Sequence, residues 1–153
     1  MKIFSLAHII FLIITIIIIT TSIVMIRKID NKKQNIIFVI IAFLCSFGIF
    51  FRYALDLKLQ GPINISRLLL QLLQVCNFNF ILMPIMLIPK CELARQYSIF
   101  FAMFAALTTF IAISPEFEKH NWYDLTIINS WLNHLFAVLL PILMVAARRL
   151  KPN

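Results

Sequence analysis

Acidic residues are scarce in this chain. Six Asp and Glu stand against 14 Lys and Arg, and charged residues of both signs make up only 13% of 153 residues. With 62% hydrophobic residues and a mean hydropathy of +0.96, too little water-compatible surface exists to cover a soluble domain of this length. Glycine occurs only at positions 48 and 61, no inverted repeat is visible, and no carboxylate falls inside an apolar stretch to carry a proton or sodium ion. Those absences argue against a transporter. The cysteines, Cys45, Cys76 and Cys91, include no CxxC pair and no even-numbered extracellular set, so neither a disulfide framework nor a zinc site is signalled. The alternation of a transmembrane barrel is missing as well.

What is present is apolar length. Stretches of about 20 residues suffice to cross a hydrocarbon core of about 30 Å, and the sequence offers them at 3–26, 36–53, 67–89, 98–113 and 127–147. The first is too long for a secretory signal and no small-residue cleavage site follows Met25 and Ile26, so it is read as a span. Backbone polar groups in lipid must be satisfied within the segment, which makes these spans helices. The expected fold is therefore all-α, a polytopic transmembrane bundle of five helices in one domain over residues 1–153. The connections, such as ALDLKLQGPINIS and KCELARQY, leave no room for a soluble domain. ALDLKLQ alternates apolar and polar residues and is expected to lie along the outer surface, while Trp122 and Tyr123 suit the headgroup layer.

Most basic residues fall on one side of this arrangement: Arg27, Lys28, Lys32 and Lys33, then Lys90 and Arg95, then Arg148, Arg149 and Lys151. That side is expected to be cytoplasmic, with the N-terminus outside and the C-terminus inside. The net charge of +8 then calls for no nucleic acid, because cytoplasmic basic residues set topology and meet anionic headgroups. Nothing in the sequence calls for a cofactor, and the loop with Glu116, Glu118, His120 and Asp124 matches no metal template.

The stretch LLQLLQVCNFNFILMPIML (69–87) is the exception to apolar monotony. At 1.5 Å per residue from the outer side, Cys76 lies about 13 Å deep on the third span, His134 about 10 Å deep on the fifth and His8 about 8 Å deep on the first. Gln71, Gln74, Asn77, Asn79, Asn129, Ser130 and Asn133 share that layer. Helical spacing puts Asn79 on the side of Cys76, Ser130 one turn from His134 and Asn129 one turn from Asn133. Amide and ionisable groups at membrane depth face the bundle interior or a wet cavity and are candidates for a functional site. Asn, Gln and Ser also serve as packing contacts between helices, and both readings stand on the pattern alone.

A resemblance bears on the choice. QVCNFNFILMPIML (74–87) resembles the Cys-containing span of the YwaF-like bacterial membrane proteins, which are related to the transmembrane protein 164 acyltransferases, with Cys76 and Pro84 at the matching separation. FAALTTFIAISPEF (104–117), INSWLNHLFAVLLPI (128–142) with His134, and FSLAHIIFL (4–12) with His8 are similar to further segments of that family. The family's His two residues before the Cys is Gln74 here, and the chain stops after five spans where relatives continue.

The resemblance implies a lipid acyltransferase or acyl hydrolase of a bacterial cell membrane, acting on phospholipid and lysophospholipid. The shorter chain is expected to be a reduced, an inactive or a split member of that family, and in the last case a partner chain would supply the missing spans. Cys76 would be the nucleophile and His134 the base, because the thiolate rather than the thiol attacks an ester carbonyl and an adjacent imidazole can take the proton. Gln74, Asn77 and Asn79, with Asn133 and Ser130, would support the site or donate to the oxyanion, and His8 would line the cleft. The alternative is a non-enzymatic membrane subunit or small-ligand-binding or transport protein whose polar layer serves packing or binding.

Overall fold

The computed structural model of the chain describes residues 5–60, 82–88, 91–97, 99–100, 104, 107–108, 110 and 121–150, and all regular structure among them is helical. Three helices are long and apolar enough to cross a membrane, over Leu6–Ile26, Asn31–Arg52 and Leu125–Ala146. They correspond to the first, second and fifth expected spans. Most of the third and fourth, 67–89 and 98–113, lies outside the described residues.

Helix α1 (Leu6–Ile26) begins where Ser5, in extended geometry, accepts the His8 backbone N–H on its hydroxyl at 3.4 Å. Its 21 residues rise about 32 Å, enough to span the hydrocarbon. The hydroxyls of Thr15, Thr20 and Thr21 donate to the carbonyls of Phe11, Ile16 and Ile17 at 2.7–2.8 Å, so these polar side chains are satisfied within the helix. Most of its isoleucines are exposed, as a lipid-facing surface requires. A single stripe of His8, Leu12, Thr15, Ile19, Ile23 and Ile26 faces inward, at steps of three or four residues.

A four-residue connection returns the chain as α2 (Asn31–Gln60). Asp30 starts it: its Oδ1 accepts the backbone N–H groups of Lys32 and Lys33 at 3.1 and 3.0 Å. The helix continues through Arg52 to Gln60, so ALDLKLQ, expected as part of a connection along the outer surface, is helical. Ala, Leu, Lys and Gln are good helix formers, and with an existing helix to extend, that propensity outweighs the period-two pattern. Further on, residues 82–86 are helical, and the short helix α3 (Glu92–Tyr97) is tied back to them by Arg95 Nε donating to the Met86 carbonyl at 3.1 Å.

Helix α4 (Leu125–Ala146) is the centre of the described bundle, packing most extensively on α2 and also on α1. Its core side chains Leu135, Val138, Leu140 and Leu143 meet Phe38, Ala42, Cys45 and Ile49 of α2. Because lipid tails are as apolar as Leu, burial alone does not hold these helices together; close packing across small residues and specific interhelical bonds must do so. Ala42, Cys45 and Gly48 supply the small surface on α2. Trp122 and Tyr123 are exposed in the turn before α4, edge to face with ring centroids 5.6 Å apart.

The C-terminus of α4 closes with paired bonds, Arg148 N–H to Val145 O at 3.0 Å and Arg149 N–H to Met144 O at 2.8 Å. Arg148 occupies the left-handed position of that closure, with φ 57°, where glycine is the usual residue.

Candidate functional site

His8 and His134 are both buried, and they converge on one residue, Phe110. The first turn of α1 carries His8, whose Nε2 lies 2.6 Å from the Phe110 carbonyl oxygen. His134, in the middle of α4, stands edge-on to the Phe110 ring with centroids 6.4 Å apart. Phe110, a residue of the fourth expected span, therefore belongs to the same layer as the two imidazoles.

The hydrogen bonds also fix ring chemistry. A carbonyl can only accept, so the nitrogen facing it must carry a proton. His8 donates from Nε2 to Phe110 O. His134 donates from Nδ1 to Ser130 O at 2.7 Å, one turn back on its own helix. In the neutral ring the lone pair of His134 is then on Nε2 and that of His8 on Nδ1. The helix thus holds the His134 ring against its own backbone and assigns Nε2 the basic role. The bond from His134 goes to the Ser130 carbonyl; Ser130 itself is buried beside it.

Two asparagines of α4 converge on Gly48 of α2. Asn129 donates from Nδ2 to the Gly48 carbonyl at 3.3 Å. The Asn133 carboxamide packs so closely that a Cβ built on Gly48 would overlap it. Asn133 is thereby placed at the α2–α4 contact, one residue before His134.

Between α1 and α4 a second link forms. Trp131 Nε1 donates to Thr15 Oγ1 at 2.9 Å, and Thr15 passes its own proton to Phe11 O. The Phe11 and Trp131 rings lie with centroids 5.1 Å apart.

Sequence reasoning singled out His8, Ser130, Asn133 and His134, and these four are buried in the described bundle. Cys76, Gln74, Asn77 and Asn79 lie outside the described residues. Gly48, Thr15, Trp131 and Phe110 went unrecognised. Thr15 carried a signal, since it stands seven residues from His8 on the same face of α1. Phe110 carried none, because it contributes a backbone carbonyl that every residue possesses. Cys45 is fully buried in the α2–α4 core, and Cys91 is half-buried before α3. Among the described residues no three His, Cys, Asp or Glu side chains are grouped to hold a metal.

The sequence profile of the TMEM164 family matches residues 3–153. No curated protein and no solved structure matches the chain.

Proposed function

The chain belongs to the TMEM164 family, and on that premise we propose that it is a membrane-embedded, thiol-dependent phospholipid acyltransferase, with Cys76 as nucleophile and His134 as base. Membership is compatible with a membrane acyltransferase-like role. The observation that carries the residue assignment is the buried His134 ring, whose Nδ1–H is spent on Ser130 O so that Nε2 holds the lone pair.

In this reading the Cys76 thiol gives its proton to His134 Nε2 as sulfur attacks the ester carbonyl carbon of a phospholipid. The tetrahedral oxyanion collapses, the carbon–oxygen bond breaks, and His134 returns the proton to the departing lysolipid oxygen. A second lysolipid then gives its hydroxyl proton to His134, attacks the thioester and frees the thiol; water in its place gives hydrolysis. Gln74, Asn77 and Asn79 are the proposed oxyanion donors, acting where charge develops. Asn133 and Ser130 hold α4 in place, and His8 lines the cleft through Phe110.

The proposed frame is five spans with the N-terminus outside, which puts Cys91 on the cytoplasmic side. Labelling of Cys91 from the outside alone would invert it.

A second reading, a non-enzymatic polar layer, draws on the bonds His8 to Phe110, Trp131 to Thr15 and Asn129 to Gly48, each of which joins separate elements. Acyl exchange between a labelled phospholipid and a lysolipid in liposomes separates the two. Exchange that is lost in Cys76→Ala supports the enzyme. Exchange unchanged in Cys76→Ala sinks it and leaves packing or binding.

A further inference from the structure

At the other end of α4, about 16 Å of helix beyond His134, the structure holds two adjoining cavities of opposite character. One, of about 430 Å³, is walled by Arg27, Gln34 and residues 145–148, including Arg148. The other, of about 320 Å³, is walled by Ile23, Ile99, Pro141 and Ile142. They share Arg27, Val145 and Ala146. A polar space opening into an apolar one along a common wall is complementary to an amphiphile.

Gln34, on the polar wall, is buried and gives its amide hydrogens to Ile26 O and Ile29 O at 3.0 and 3.1 Å, which ties the end of α1 to the start of α2. Arg27 and Arg148 line the same cavity and make no ion pair among the described residues, where the carboxylate of Asp30 is spent on Lys33 and on the start of α2. Arg148 also stands at φ 57°, a conformation that costs an arginine and suits a glycine.

We propose that this end of the bundle binds one anionic glycerophospholipid. Its phosphodiester sits between Arg27 and Arg148, and an acyl chain lies along Ile23, Pro141 and Ile142. Guanidinium groups suit phosphate because they present paired donors in a plane. The site is separate from the layer of His8 and His134 and does not depend on the acyltransferase reading: Cys76→Ala should keep the lipid whatever it does to exchange.

The test is lipid retention by the full chain in detergent, read by native mass spectrometry with thermal unfolding alongside. Phosphatidylglycerol should bind at least roughly 10-fold more tightly than phosphatidylcholine, and Arg148→Gly should remove most of that preference. Since glycine is at ease at this position, the lipid-free unfolding temperature of Arg148→Gly should hold or rise, which separates lost binding from lost folding. Retention of phosphatidylglycerol by Arg148→Gly at full strength would overturn the site. Displacement of the lipid by inorganic phosphate alone would mark a free-anion site instead.

Discussion

The two ends of α4 solve opposite problems. Around His134 the polar side chains are paired across the bundle: Trp131 with Thr15, Asn129 with Gly48, and His8 with Phe110. Around Arg148 the cavity is lined by exposed guanidinium groups that make no ion pair among the described residues. Internal pairing fixes helix positions and ring tautomers, which is what a reactive centre needs before substrate arrives. Unpaired guanidinium groups are what an anionic ligand fills. Polarity within a membrane protein is thus informative only together with which polar atoms are already satisfied.

The strongest way to break the comparison is His134→Ala. If the paired end is a reactive centre, acyl exchange should slow by roughly 100-fold to 10,000-fold, the usual contribution of a positioned general base, with insertion into the membrane preserved. A loss of folding instead of rate would move His134 to the structural side.

Gly48→Ala addresses the next largest effect. The new methyl must displace the Asn133 carboxamide, and overpacking of that kind costs about 1–3 kcal/mol. Asn133→Ala in the same chain should recover most of it in denaturant titrations. No recovery would mean that the close approach at α2 is to backbone rather than to Asn133.

Smaller again is the link between α1 and α4. Trp131→Phe and Thr15→Val should each lower stability by about 0.6–2 kcal/mol, and the double variant by less than their sum, because both remove one interhelical bond. Strict additivity would show that the Trp131–Thr15 bond contributes nothing.

At the basic end the smallest effect belongs to Asp30, whose side chain is exposed. The backbone N–H of Lys33 holds its carboxyl below the usual carboxylate value, with help from the Lys33 side chain and the Lys32 N–H. A folded value below the unfolded one contributes stability above the unfolded value, and this is lost as pH falls through the folded one. Asp30→Asn should therefore narrow the fall in unfolding temperature between neutral and acidic pH slightly, and leave acyl exchange unchanged.

Much of this was legible in the sequence because oil-soluble helices announce themselves by composition. The first, second and fifth spans were expected at 3–26, 36–53 and 127–147, and the helices run Leu6–Ile26, through Asn31–Gln60, and Leu125–Ala146. The N-terminal reach of α2 was missed because its first turn, NKKQN, is polar; Asp30 caps it and Gln34 turns inward, which hydropathy does not register. ALDLKLQ was expected within a connection, and a short period-two pattern does not exclude the continuation of an existing helix seen there. His8 and His134 were legible as rare imidazoles at membrane depth. Gly48 was not, since its importance comes from two asparagines 81 and 85 positions away, and neither was the cavity beside Arg148, whose backbone conformation has no sequence signature in an arginine.

Acyl capture measures the proposed covalent intermediate most directly. Incubated with a phospholipid labelled in its acyl chain, the protein should acquire hydroxylamine-sensitive label that maps to Cys76, vanishes in Cys76→Ser and persists in Cys45→Ser and Cys91→Ser. Acyl exchange without any protein-bound label, or label that survives Cys76→Ser, would contradict it.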